Sequence, residues 1–363
     1  MSDSEKDLEE LSIDEWVATV SDVYKDVDSR RTGNELWLQV LDEASKMMES
    51  IRKEEIPDTT KQCVKVFGWL GSLVAEGLRE PKTVADFDDP IIGSLRATSV
   101  NDFIGGPESL GKFILLKYPE VCHTCGGDPC DCTANRMITE NRRSQRYENK
   151  FKELQKISIA RLTAAEGRFK SPEFTKAELE RPIDEVFHMY SRIYGGIHYD
   201  IDLWKIGDHL MEEIGEVGKR IVDLGQVRRM EVQAKKGALD VNKVVIAAYK
   251  KTIPRNKVSP LGSVEEIKEM GHKQLLNFFK DYHTYGMKSE LADSVSWLSG
   301  VWNKIAIITK ARDLSFAERL TQNFKNYQGL VACRACGNTR CNEECLSIDL
   351  CSRTFMEQAT GGA

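Results

Sequence analysis

Apolar residues recur along this chain at helical spacing. Leu210, Ile214, Val217 and Ile221 lie three or four positions apart, as do Val40, Ala44, Met47 and Ile51. Each set therefore lines one face of an amphipathic helix. Leu291, Val295, Leu298 and Trp302 repeat the pattern later in the chain. Strand-like alternation is nearly absent, so the expected fold class is all-α. The polar, Arg- and Lys-rich stretch from Thr133 to Arg181 reads as a charged connecting helix interrupted at Pro172. Pro182 opens the next helical module, since proline suits a helix's first turn. The tail from Ser352 to Ala363 is expected to be loose at its Gly-rich end.

The helical pattern occurs twice. Adding 170 to the numbering carries Ile13-Asp14-Glu15 onto Ile183-Asp184-Glu185, Ser21 onto Ser191, Tyr24 onto Tyr194, Glu43 onto Glu213 and Ile51 onto Ile221. A shift of 228 then aligns Trp69-Leu70 with Trp297-Leu298, and a shift of 211 takes Cys122, Cys125, Gly126 and Cys130 onto Cys333, Cys336, Gly337 and Cys341. Three blocks in one order point to a tandem duplication. The expected boundaries are a module at 1–132, a linker at 133–181, a second module at 182–351 and a tail at 352–363. The larger second shift implies an insertion at roughly 225–285.

Composition narrows the class. A chain of 363 residues accommodates two domains, and 41% hydrophobic with 30% charged residues is globular. The net charge of −6 argues against a general nucleic-acid coat. No apolar run approaches the roughly 18 residues of a membrane span, and the acidic start from Met1 to Glu10 does not read as a secretory signal. Clustered cysteines without an export signal favour metal ligation in a reducing compartment, so a cytoplasmic location is expected.

Cys333-x2-Cys336-x4-Cys341-x3-Cys345 has strong metal-ligand spacing, and Gly337 suits its tight turn. Its counterpart is Cys122-x2-Cys125-x4-Cys130-x-Cys132, whose final pair is closer than zinc usually takes; His123 or an outside ligand is the alternative fourth donor. Four thiolates favour two structural zinc ions, one per module, with an iron–sulfur cluster as the minority reading. Cys63 and Cys351 read as ordinary thiols, and His198 and His209 as surface or packing residues.

The second module also carries Glu212-Glu213-Ile214-Gly215-Glu216 and Glu290-Leu291-Ala292-Asp293. At about 100° per residue, both acidic sets fall at roughly 200° to 300° from their apolar stripes. A solvated face is the simpler account of one acidic helix. Here Trp297 lies within the acidic face, and the shared angle is what two facing helices would show. Converging carboxylates repel unless a cation lies between them. Oxygen donors select magnesium, manganese or calcium, and magnesium leaves room for substrate phosphates.

Glu-Glu-x-x-Glu followed by Glu-x-x-Asp resembles the signature of the all-α nucleotide pyrophosphohydrolases, the MazG and dimeric-dUTPase superfamily. The match comprises Leu210 to Val217 and Glu290 to Asp293; Asn323-Phe324-Lys325-Asn326-Tyr327 is similar to a later basic segment of many MazG relatives, and Lys117-Tyr118-Pro119-Glu120 lies near the corresponding place in the first module. The resemblance excludes the cysteine sites and the linker. The family usually joins its acidic motifs by a short turn, whereas here a long, Lys-rich stretch separates them. That stretch reads equally as a phosphate-contacting lid or a solvated insertion.

The resemblance implies two helical bundles packed as an intrachain pseudo-dimer, with further homo-oligomerisation open. It implies cleavage of a nucleoside triphosphate, in ribo or deoxy form, to a monophosphate and pyrophosphate. Glu213, Glu216, Glu290 and Asp293 would hold magnesium or manganese, Glu212 would be a ligand or orient water, Asn323 and Lys325 would contact phosphate or sugar, and Trp204 or Trp297 would flank the base. In the first module Glu216 maps to Lys46, Glu290 to Gln62 and Asp293 to Lys65, so that copy is expected to be inert, with Asp42 and Glu43 balanced internally. Two other classes remain: a silent nucleotide-binding regulator of the same fold, and a zinc-knuckle nucleic-acid adaptor using Arg142, Arg143 and Arg146.

Overall fold

The computed structural model describes residues 7–28, 31, 33–77, 110–118, 128–130, 175–235, 271–311 and 314–325. These form a 3-10 turn at Leu8–Glu10 and helices α1 (Ile13–Asp28), α2 (Gly33–Arg52), α3 (Ile56–Gly77), α4 (Leu110–Lys117), α5 (Lys176–Leu179), α6 (Ile183–Asp200), α7 (Leu203–Lys235), α8 (His272–Thr309) and α9 (Phe316–Lys325). No strand occurs among the described residues, as the helical periodicity predicts. No described helix is long and apolar enough to cross a membrane.

Local chemistry sets several helix starts. Ser12 Oγ accepts from Glu15 N while Ser12 N donates to the Glu15 carboxylate, a reciprocal cap that satisfies two donors opening α1. Asp184, in the first turn of α6, reaches across to cap α9: it accepts from Phe316 N at 2.8 Å, Ala317 N at 3.0 Å and Ser315 Oγ at 2.6 Å. Asp14, in the first turn of α1, does the same for α4 by accepting from Gly111 N at 3.1 Å. Asp184 is Asp14 shifted by 170 positions.

The contacts between helices come in matching pairs. α1 packs on α3 as α6 packs on α8; α2 packs on α3 as α7 packs on α8; α1 meets α4 as α6 meets α9. Two further contacts, α2 with α7 and α3 with α8, join aligned helices to each other and close a central four-helix bundle. The short final helices cross over, α4 packing on α8 and α9 on α3. The two lead-in segments meet as well, Ser12 and Pro182 forming an isolated antiparallel bridge with Ile183 N donating to Leu11 O. Residue 182 is residue 12 shifted by 170, so this bridge lies at self-equivalent positions.

All three apolar stripes are buried in one core cluster that includes residues of both halves. Phe316 ties the crossed α9 into it, stacking on Phe187 at 4.3 Å and meeting Phe67 edge-on at 5.6 Å. At the α2–α7 crossing, Trp37 Nε1 donates to Ile214 O at 2.8 Å. A β-carbon on Gly218 would collide with the Trp37 indole, and one on Gly207 with the Met48 sulfur. Cys63 is fully buried and donates to Met47 Sδ at 3.6 Å; burial pushes its thiol pKa far up, leaving an inert packing group.

Pro182 stands at the N-cap of α6 and so opens that helix. Of the expected 225–285 insertion, residues up to Lys235 continue α7 and those from His272 belong to α8, while 236–270 lie outside the described residues. Of the linker, 133–174 lie outside the described residues, as do the tail 352–363 and Cys122, Cys125, Cys132, Cys333, Cys336, Cys341 and Cys345. Cys130 is described; its N donates to Ile193 O at 2.7 Å, pinning that loop to α6.

A candidate carboxylate centre between two helices

α7 and α8 are the most closely associated pair in the bundle, and their contact brings the two acidic motifs together. Glu213 from α7 and Glu290 and Asp293 from α8 each offer a carboxylate oxygen within 4.8 Å of the others. Glu290 is buried and the other two half-buried. The convergence follows from helical geometry: Glu290 and Asp293 are three residues apart, hence on one face, and the buried Ile214 and Leu291 stripes fix how the two helices face each other.

Glu212 and Glu216 are not part of this group. Both are exposed. Glu212 lies near His209 Nδ1 at 3.4 Å. Glu216 acts on Glu213 only through its charge, as the weakest of the influences there. The expectation that Glu216 lies among the clustered ligand oxygens is therefore not met in this arrangement: three acids converge and two stand outside.

Burial dominates the protonation of the centre. The Glu213 carboxyl is raised to about 8, first by desolvation and then by the charges of Asp293 and Glu290, against which Lys117 pulls it down. Glu290 is also raised by burial, with Arg220 and Lys117 opposing. Three acids this close cannot all ionise comfortably without added positive charge.

Two cations attend the cluster. Arg220, one helical turn beyond Glu216, donates Nη2 and Nε to Glu290 Oε1 at 3.0 and 3.3 Å. Its side chain fits because residue 286 is glycine; a β-carbon there would stand 2.6 Å from Arg220 Nε. Lys117 comes from the other half of the molecule. Its ammonium pairs with Asp293 Oδ2 and donates to Ser289 Oγ at 2.6 Å and Ser289 O at 3.2 Å. The neighbouring Tyr118 hydroxyl donates to Asp293 Oδ1. Burial, reinforced by the Asp293 charge, holds Tyr118 well above its ordinary pKa, so it stays a donor.

The remaining expected site residues are placed differently. Trp297, one turn past Asp293, is half-buried and stacks on the His209 ring at 4.5 Å with an interplanar angle of 19°. His209 is itself one turn before Glu213, so this aromatic pair borders the carboxylates. Trp204 is exposed at 49% and lies outside the cluster. Asn323 is half-buried on α9, the helix that crosses to α3 and α6. Nothing is described of the Lys325 side chain. The sequence reading thus missed Arg220 and undervalued Lys117 and Tyr118. The only signal for the latter was the Lys-Tyr-Pro-Glu similarity, and for Arg220 its helical spacing from Glu216.

The aligned position in the first half is already neutralised. Lys46 pairs with Asp42 at 2.5 Å and Glu43 at 3.1 Å, and Lys65 pairs with Glu43 at 3.1 Å. Glu43 is thus held between two ammonium groups, as the replacement of carboxylates by Lys46 and Lys65 leads one to expect.

No protein-family model, no curated protein and no solved structure matches this chain.

Proposed function

We propose that the chain is a divalent-cation-dependent nucleoside triphosphate pyrophosphohydrolase whose reaction takes place in the C-terminal half. The observation that carries this reading is the meeting of Glu213, Glu290 and Asp293 from two motifs that stand far apart in the sequence. The donor set fits a hard cation: three carboxylates, one of them pushed to about 8 by burial and by the charges of its two acidic neighbours. Glu213, Glu290 and Asp293 would hold magnesium or manganese. When bound, the ion supplies neutralisation of the phosphates and a more acidic water. The protein's own residues position and screen. Arg220 and Lys117 add positive charge beside the acids, Glu290 and Asp293 are fixed by their bonds, and the His209–Trp297 pair offers a flat apolar wall for a base.

The duplicated architecture belongs to this proposal. The paired helix contacts, the matching Asp14 and Asp184 caps and the Ser12–Pro182 bridge support two copies of one module related by a local two-fold axis. The first copy, with Glu43 locked between lysines, serves as scaffold. By their spacing, Cys122, Cys125, Cys130 and Cys132, and Cys333, Cys336, Cys341 and Cys345, would each hold a structural zinc ion.

The test is pyrophosphate release from a panel of ribo- and deoxynucleoside triphosphates with magnesium, comparing wild type with Asp293→Asn. Release by wild type alone supports the reading. Nucleotide binding without release by either form would identify a nucleotide-binding regulator instead.

A further inference from the structure

Asp293 has both carboxylate oxygens engaged by the other half of the molecule, Oδ2 by the Lys117 ammonium and Oδ1 by the Tyr118 hydroxyl. Lys117 is anchored a second time through Ser289 Oγ and O, so its ammonium is seated at the edge of the cluster rather than trailing in solvent. It is largely shielded, with 16% of its side chain exposed. A divalent ion held by Glu213, Glu290 and Asp293 would bond the same carboxylate. Two cations at one half-buried carboxylate repel strongly, because little water lies between them.

The first half shows lysine in this office. Glu43, the aligned partner of Glu213, is neutralised by Lys46 and Lys65, and Lys46 also pairs with Asp42. In the second half the acids are retained, and the cation arrives instead on α4 from across the molecule.

We propose that Lys117 is the resident counter-cation of the carboxylate centre, and that a divalent ion binds by displacing its ammonium from Asp293. The inference rests on the metal-binding reading above and adds to it a competition between the two halves. The N-terminal half thereby sets the cation affinity of a site whose acids all lie in the C-terminal half. Arg220 differs from it in place: it bonds Glu290 and lies on the same helix as Glu213.

The experiment uses the full chain and manganese alone as probe, followed by electron paramagnetic resonance. Lys117→Met is expected to tighten manganese binding about tenfold, the low end for removing a charge in close contact within a shielded site. Lys117→Arg, which keeps the charge, is expected to bind no tighter than wild type. A folded Lys117→Met protein with unchanged or weaker binding, while wild type binds manganese, overturns the competition and leaves the metal site standing. A second readout does not depend on that variant folding. In wild type carrying 13C-labelled lysine, with the resonance assigned through Lys117→Arg, the Lys117 side-chain signal should move on magnesium saturation; a stationary signal also overturns the proposal. Absence of manganese binding in every form sinks the metal reading itself, and this inference with it.

Discussion

Trp37 lies against Gly218 so closely that no β-carbon fits between them, and its indole N–H is spent on the Ile214 carbonyl in the same turn of α7. Met48 and Gly207 repeat this relationship at the other end of the crossing. In the repeat alignment Trp37 corresponds to Gly207 and Met48 to Gly218, so the two contacts are images of each other: bulk on α2, glycine on α7.

Gly218→Ala is therefore expected to destabilise the fold by about 1–3 kcal/mol, the usual cost of overpacking a filled contact. Trp37 must retreat and its bond to Ile214 lengthen. Urea unfolding followed by tryptophan fluorescence measures this. An unchanged midpoint would show that the crossing yields easily.

Asp293→Asn is expected to lower pyrophosphate release about a hundredfold or more, by analogy with loss of one preorganised charged group. Asn keeps the size and can still accept from Tyr118, but the shielded Lys117 loses its carboxylate, so a loss of stability of about 1–3 kcal/mol is expected beside the loss of activity. A steady-state assay at saturating magnesium, run beside a melting curve, separates chemistry from folding.

Stability should depend on pH through Glu213. Its folded value near 8 stands above the ordinary 4.5, so between those limits the folded protein holds a proton that the unfolded chain has released. Stability therefore falls as pH rises from about 4.5 to about 8 and levels off beyond. Glu213→Gln should flatten that slope. Magnesium should flatten it too, since a bound cation favours the ionised form and drives the proton off. Urea midpoints at several pH values, with and without magnesium, test both statements.

Glu43→Gln strips two lysines of their shared carboxylate in the first half. A loss of about 1–3 kcal/mol is expected, typical of leaving a shielded charged group short of a partner. Pyrophosphate release should be preserved, which distinguishes a structural site from a working one. Comparable loss of activity in Glu43→Gln and Asp293→Asn would contradict the division of roles.

Much of the fold is legible in the sequence because it depends on periodicity. The stripes through Leu210 and Val40 lie where i, i+3, i+4 spacing puts them, and both acidic motifs face one another as their angles require. Periodicity describes one helix at a time, however. It groups Glu216 with Glu213 because both share a face, whereas the α7–α8 contact admits only Glu213. It also leaves no trace of the crossing of α4 and α9. Lys117 was therefore compared with Asn323 and Lys325 as a counterpart within its own module, although it reaches Asp293 in the other.

The exchange of final helices has a consequence for how this chain can be divided. Each half wears a piece of the other, so neither half made alone would have its outer flank covered, and the C-terminal half alone would lack the ammonium beside Asp293. Severing the backbone within 131–174 need not part them. Co-expressed fragments should find each other and reassemble around the shared core, whereas a solitary fragment should tend to pair with its own kind.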